Sequence, residues 1–412
     1  MRDAAIPMLL SNQNSVLTVV LATGDGKPLM PLTQRRTVAA IPYAGAYRVI
    51  DFALSNCLYS GLRRVMVFSQ FNALSLHNHI RDGWSLFNAD LNEYVMPVTP
   101  PIENEMTTYS GYADALVKNA YLLERTSADH VIVVSGEQIY RMDYAAVLAF
   151  HLKHDSTVTV GTLDTACTNR AELSAVLKLR GHKVVGIEPF VADQDGDSSH
   201  GPMEVFVFKK AALMRLLEQA RRPEVNGRAI IDLIKDHWLD SEKINAYRFG
   251  GADGRVTQDK YWRMLGSVDD YYDVNMDLLK YEPPLDIYQA DWAIRTHQTQ
   301  GPPARTVSGP SGTEGICVNS IIANGTVIAG GGVSRSILGN RVYIDDGATV
   351  EDSILSAGVQ VGAGTQLRRC VIDRNVVIPA NEEIGLDRKL DAQRFTVTPN
   401  GVVVIPSDAT FN

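Results

Sequence analysis

The sequence predicts an α/β domain built on a mostly parallel sheet, followed by a second domain that is a parallel β-helix. Three observations carry this. Short apolar runs rich in β-branched residues recur along the earlier part of the chain, and helical stretches alternate with them, which implies a parallel sheet covered on both faces. The first such run passes directly into a glycine-bearing loop, as a buried strand does when it reaches a ligand-facing edge. Beyond about Pro283 helical periodicity fades into Val/Ile runs separated by glycines, and Ser-Ile or Cys-Val pairs recur at a near-constant spacing.

Taken in order, Ser15–Ala22 is the first strand, and Thr23-Gly24-Asp25-Gly26 is its loop. Arg64–Ser69, His130–Ser135 and Ser156–Gly161 are further strands, the last preceded by a helix over Asp143–His154. Ligands in such sheets collect at the carboxyl ends of strands, so the loops after Leu21, Phe68 and Val134 are where chemistry is sought. Pro283-Pro284 and Gly301-Pro302-Pro303 punctuate a linker, giving a first domain over 1–285, a linker over 286–310 and a second domain over 311–412. In that second domain Ser320-Ile321, Ser336-Ile337, Ser353-Ile354 and Cys370-Val371 follow one another at 16, 17 and 17 residues, with smaller six-residue steps such as Val327 to Val333. A hexapeptide period fits a β-helix whose side chains stack on inner ladders; an irregular all-β sandwich is the alternative.

The chain has 412 residues, enough for two or three cores, with 45% apolar and 21% charged residues, close to globular averages. Its net charge of -8, without a long basic run, argues against a nucleic-acid partner. Met1–Leu21 is interrupted by Pro7, Asn12, Gln13 and Asn14, too polar for a membrane span and without a clear signal-peptide pattern, so the expected location is cytoplasmic with no membrane partner. Cys57, Cys167, Cys317 and Cys370 are far apart and form no CxxC pair, which predicts free thiols rather than disulfides or structural zinc.

The stretch Leu21–Thr33, Arg36 and Gly45–Asn56 resembles the nucleotide-binding opening of ADP-glucose pyrophosphorylases, the glucose-1-phosphate adenylyltransferases of bacteria. The resemblance continues through Ser69-Gln70-Phe71, His77–Trp84, Tyr109–Ala115, Gly136–Tyr144, Tyr261-Trp262-Arg263 and Leu367–Arg374, so it covers the chain from about Leu17 to Phe395. It implies a Rossmann-like nucleotidyltransferase domain, a C-terminal left-handed parallel β-helix, and a homo- or hetero-tetramer. By resemblance, Gly24, Gly26, Gln70, Gly111 and Asp114 are nucleotide-binding candidates and Glu188 is a sugar-phosphate candidate. Arg48, Arg368, Arg369, Arg374 and Arg394 match basic positions of a family whose effectors are phosphorylated metabolites. Guanidinium groups suit such ligands, and a salt-bridged face or subunit contact is the alternative for these five.

The chain departs from the family's pattern where its chemistry lies. Pro28 stands where the first loop carries an arginine that neutralises the leaving pyrophosphate, and Lys27 beside it lacks the planar fork of a guanidinium. Val38 with Ala39, and Ala46, stand where the family has phosphate-handling lysines. Glu137 replaces the aspartate of a Gly-Asp-His turn and Ala229 a second aspartate, the two carboxylates the resemblance assigns to magnesium. The Glu-Lys-Pro turn is reduced to Glu188-Pro189, the following turn is shortened to Gly201–Phe208, and Tyr112 occupies a threonine's place in the adenine segment. These losses imply a non-catalytic regulatory or scaffolding subunit beside an active paralogue, with no intact catalytic residue, no metal site and no cofactor. Two alternatives stand beside it. One is an active adenylyltransferase using Mg2+ and altered ligands, and the other is a free-standing nucleotide or sugar-phosphate sensor.

Overall fold

The computed structural model describes residues 15–101, 108–164, 173, 175–190, 200–221, 227–251, 254–256, 259–298 and 300–411. Its contacts divide the chain into two compact units that are not two consecutive segments.

The first unit holds residues 1–25, 49–264 and 289–295 and is organised by a nine-stranded sheet. Val16–Ala22, buried at every residue, lies between Arg64–Ser69 and His130–Ser135 and pairs with both in parallel, and Tyr94–Val98 adds a fourth parallel strand at the edge. The expected strands are therefore present, but parallel pairing does not extend across the sheet. His200–Lys209 enters antiparallel between His130–Ser135 and Val158–Asp164; Ile244–Arg248 then pairs in parallel with the latter, and an antiparallel ribbon of Ala175–Arg180 and Lys183–Pro189 completes the order. The continuous apolar run Val205–Phe208 marks a central strand, but strand direction is set by the return path of the chain and has no local signature. The helix expected over Asp143–His154 spans Tyr144–Lys153, burying Tyr144, Val147, Leu148 and His151 at helical spacing. Asp143 caps it by accepting the Ala145 N–H at 3.1 Å.

The second unit comprises residues 26–48, 265–288 and 296–412. Three parallel sheets form the faces of a β-helix, and in one of them Ile321, Ile337, Ile354 and Val371 stack in register. The 16- and 17-residue spacing has a physical cause. Asn319, Arg335, Asp352 and Arg369 turn one corner of successive coils with φ of 47, 44, 47 and 52°, and the serine or cysteine that follows points inward. The Ser336 N–H donates to Ser320 Oγ at 3.0 Å, the Ser353 N–H to Ser336 Oγ at 3.1 Å and the Cys370 N–H to Ser353 Oγ at 3.0 Å. Each hydroxyl in turn donates to the carbonyl two residues before it. The ladder thus satisfies backbone groups that a buried corner would otherwise orphan. At another corner Gly330 has φ 74°, and a Cβ there would stand 2.3 Å from Asp346 Oδ1.

These contacts revise the expected boundaries. Part of the proline-rich stretch 286–310 is not a free linker: Trp292 is 2% exposed and donates its indole N–H to Asn56 Oδ1 at 2.9 Å, while the Arg295 N–H donates to Ser55 Oγ at 2.9 Å. The β-helix also starts before residue 311, because Arg305–Val307 already pairs in parallel with Val327–Ala329. Two earlier segments join this unit through side chains. Arg36 and Asp373 form a buried bidentate pair at 2.7 and 2.8 Å, and Tyr272 donates its hydroxyl to the Asp352 carbonyl at 2.7 Å. Cys57, Cys317 and Cys370 are free thiols, and Cys167 lies outside the described residues. Among the described residues, no helix is long and apolar enough to cross a membrane.

Candidate functional site

The carboxyl ends of Val16–Ala22 and His130–Ser135 lie side by side because the strands pair in register from Val16↔His130 to Leu21↔Ser135. Gly136 follows at once, and a Cβ on it would meet Val20 Cγ1 at 2.8 Å, so only glycine lets the chain turn so close to the neighbouring strand. That turn brings Glu137 against the first loop. The Gly24 N–H donates to Glu137 Oε1 at 2.8 Å, and a Cβ on Gly24 would lie 2.5 Å from Oε2.

The second carboxylate oxygen is engaged as well. The Glu137 N–H donates to Ser135 Oγ at 3.2 Å, Ser135 bridges to the Tyr112 hydroxyl at 2.9 Å, and Tyr112 donates to Glu137 Oε2 at 3.0 Å. This closes a ring of hydrogen bonds on protein partners alone. Burial pushes the Glu137 carboxyl up to about 7, against the lowering effect of the Gly24 N–H and the Tyr112 hydroxyl, and Asp25 raises it further. Tyr112 is itself held well above the ordinary phenol value, first by burial, then by the charge of Glu137 and, more weakly, of Glu204.

Glu204 was not expected here. It has φ 54°, within the stretch where the pairing register of His200–Lys209 shifts, and its Oε2 is buried without a partner among the described residues. Burial and Asp232 push it up to about 7. The surroundings of Tyr112 are thus rich in carboxyl groups. The register irregularity was invisible locally, but a glutamate in the apolar run Met203–Phe208 was a signal available in the sequence.

The other nucleotide candidates serve backbone contacts. Gln70 donates to the Thr23 and Tyr109 carbonyls and accepts the Tyr109 N–H at 2.6 Å, which engages its carboxamide at both ends. Gly111 precedes the helix Tyr112–Lys118 and packs beside Gly227. Asp114 accepts the Ser110 N–H and the Lys118 ammonium, both at 2.8 Å. Gly26 has φ 68°, and its carbonyl accepts the Thr33 hydroxyl at 2.6 Å. Pro28 lies in the short 3-10 turn Lys27–Leu29, and Val38 is buried in another, Val38–Ala40. Ala229 caps the helix Ile230–Trp238 by its backbone alone, its N–H reaching Asp232 Oδ2 at 3.3 Å.

Glu188 lies at the surface. Its side chain is 53% exposed and pairs at 2.5 Å with Lys178 of the adjacent strand, because the ribbon places Glu188 at its surface. The arginine candidates have different surroundings. Arg369 turns a coil corner, stacks over the Tyr272 ring at 5.2 Å and donates to the Asn400 carbonyl. Arg394 pairs with Glu382 at 2.9 Å and covers Phe395, and Arg368 is exposed at the end of its strand. Arg374 follows Asp373; burial and then the neighbouring Arg36 lower its pKa. Arg48 is half-buried in a two-residue ribbon opposite Pro42.

Both Glu137 oxygens are occupied by protein donors, Ala229 offers no ligand, and among the described residues no group of three or more His, Cys, Asp or Glu is arranged to hold a metal ion.

An α/β sheet with a glycine loop at its central carboxyl edge, joined to a hexapeptide β-helix, defines a nucleotidyltransferase-type protein. Residues 17–281 match the family described as Nucleotidyl transferase, and residues 302–405 match GlmU-like, C-terminal hexapeptide. The chain is 41% identical over 402 residues to glucose-1-phosphate adenylyltransferase 2 of Vibrio cholerae, covering 96% of this chain and 98% of that one. It is 43% identical over 401 residues to the protein of the same name from Vibrio vulnificus, covering 96% and 99%. Against glucose-1-phosphate adenylyltransferase of Deinococcus radiodurans it is 36% identical over 412 residues, covering 96% and 99%. The chain belongs to the glucose-1-phosphate adenylyltransferase family.

Proposed function

We propose that this chain is a non-catalytic member of its family, a regulatory or scaffolding subunit that assembles with an active paralogue in storage-polysaccharide synthesis. The observation that carries this reading is the engagement of Glu137. The carboxylate at the family's metal position is buried and hydrogen-bonded to Gly24 and Tyr112, while the second position is Ala229. Loss of one preorganised charge contact costs about 10²–10³ in rate. Here Pro28, Val38 and Ala229 are missing contacts together, and such losses need not multiply. The proposed assembly is of tetramer type, a reading supported by the family likeness and by the serine ladder of the β-helix.

The test is turnover. Purified protein given ATP, glucose 1-phosphate and Mg2+ is expected to release pyrophosphate at less than about a thousandth of an ordinary enzyme rate. Co-expressed with a competent family member, it is expected to co-purify and to change that partner's response to phosphorylated metabolites. The relatives' names favour a second reading, an active adenylyltransferase forming ADP-glucose with altered ligands. Ordinary turnover by the pure chain establishes that reading and ends the first.

A further inference from the structure

Two histidines at the other edge of the first unit's sheet have no part in the site described above. The helix Tyr144–Lys153 ends at His154, just before the strand Val158–Asp164 begins, so His154 lies at that strand's amino end, whereas Glu137 and Gly24 follow the carboxyl ends of theirs. His182 stands at the tip between Ala175–Arg180 and Lys183–Pro189, where its carbonyl accepts the Ala246 N–H at 2.8 Å. Phe150, one helical turn before His154, is a platform for both rings. The His154 ring lies over it with centroids 4.2 Å apart, and the His182 ring meets it edge-on at 5.3 Å. The two imidazoles are thereby brought to a centroid separation of 5.2 Å.

The pair has a definite direction. His154 Nδ1 stands 2.9 Å from the Phe150 carbonyl, which can only accept, so Nδ1 carries the proton and the neutral ring keeps its lone pair on Nε2. A metal-binding histidine is held in this way, its far nitrogen fixed by a backbone carbonyl. The spacing agrees: two imidazoles on one tetrahedral ion, with metal–nitrogen bonds of about 2.0–2.1 Å, hold their ring centroids roughly 5 Å apart. Their planes are inclined at 56°, so the rings are not stacked face to face and their edges can converge on one point. His182 is exposed and His154 half-buried, which leaves the pair open to solvent. Asp155, the carboxylate next to His154, is paired with Lys209, so nitrogen rather than oxygen is the donor on offer.

We propose that His154 and His182 together bind a divalent transition-metal ion, with zinc the best match to the geometry and water completing the shell. Imidazole suits Zn2+, Ni2+ and Cu2+, whereas Mg2+ and Ca2+ take oxygen ligands. Two protein ligands make a weaker site than the three or four of a catalytic or structural centre, in keeping with the lack of any larger donor group among the described residues. The bound ion acts as a clip. Among the described residues the ribbon 175–189 is registered to the rest of the sheet through Lys183↔Asn245 and His200↔Leu177, and an ion shared by His182 and His154 fastens its tip to the helix end. Because the two ligands meet only in the folded chain, binding raises the melting temperature of the first unit.

The experiment is calorimetric titration of the full chain, stripped of metal by a chelator, with ZnCl2 and with MgCl2, repeated on His154→Ala, His182→Ala and Cys317→Ser. Electron paramagnetic resonance of the Cu2+-loaded protein counts the coordinating nitrogens in parallel. His182 is exposed, so His182→Ala should leave the metal-free melting temperature unchanged and keeps the test decisive whatever His154→Ala does to folding. Zn2+ is expected to bind, at least about tenfold more weakly in each histidine variant and equally well in Cys317→Ser, without competition from Mg2+. The copper spectrum is expected to show two coordinating nitrogens in the wild type and one in either histidine variant. Absence of Zn2+ binding at millimolar concentration, or unchanged affinity in His182→Ala, overturns the proposal. Loss of binding in Cys317→Ser places the ion on a thiol and also overturns it, and a single coordinating nitrogen in the wild-type spectrum removes the pairing on which it rests.

Discussion

Replacing Glu137 by Gln should make the first unit more stable, by an amount that grows as pH rises above about 4.5. The folded carboxyl titrates at about 7 where the ordinary value is 4.5, so between those values the native protein holds a proton that the unfolded chain has released. Stability from this group is therefore fully present below about pH 4.5 and is lost as pH rises through 7. At about 1.4 kcal/mol per unit, the loss approaches roughly 3 kcal/mol by pH 8.5. Glutamine keeps an acceptor for the Gly24 N–H and meets the Tyr112 hydroxyl with an amide donor, so geometry survives without the charge. The four tryptophans, Trp84, Trp238, Trp262 and Trp292, all lie in the first unit, so urea unfolding followed by tryptophan fluorescence reports on it. Wild type and Glu137→Gln should coincide near pH 4 and separate progressively to about 3 kcal/mol at pH 8.5, with the variant more stable. Glu204, pushed up to about 7 as well, acts on both proteins and largely cancels in the difference. Parallel stability profiles across this range would refute the argument, because they would mean that Glu137 is solvated or held ionised.

Asp373→Ala should strand the Arg36 guanidinium, whose side chain is 3% exposed, at a cost of about 3–5 kcal/mol, whereas the double change Arg36→Met with Asp373→Leu should recover most of it; thermal unfolding by circular dichroism distinguishes the two, and a loss under about 1 kcal/mol from the single change contradicts a buried pair. Ser336→Ala removes the acceptor of the Ser353 N–H and should cost about 1–3 kcal/mol in the second unit, with Ser336→Cys recovering part, since Cys370 already occupies a rung with its thiol. Restoring Arg at Pro28, Lys at Val38 and Asp at Glu137 and Ala229 should return magnesium-dependent nucleotide binding but only slight turnover, measured together in single-turnover assays, because Tyr112 and Glu204 still occupy the ring and its surroundings. Full activity from those four changes would show that the remaining pocket is intact.

Local chemistry alone determined much of this protein. Four strands and one helix were legible because β-branched runs and the buried set Tyr144, Val147, Leu148 and His151 advertise their own periodicity. The β-helix was legible because each coil must repeat the same inward serine, and the glycine loop and family motifs identified the site's neighbourhood. What remained for the tertiary structure were features made by residues distant in the chain. No local pattern announces that His200–Lys209 runs antiparallel, that Trp292 in a proline-rich stretch is buried on Asn56, or that Arg36 finds Asp373. The same holds for chemistry: the sequence told where the chain departs from the family's pattern, but only folding decided that Glu137 is enclosed by Gly24 and Tyr112 and that His154 and His182 meet on the Phe150 ring. Hydrogen bonding and burial, which set a side chain's charge and availability, depend on neighbours that only the closed chain brings within about 3 Å.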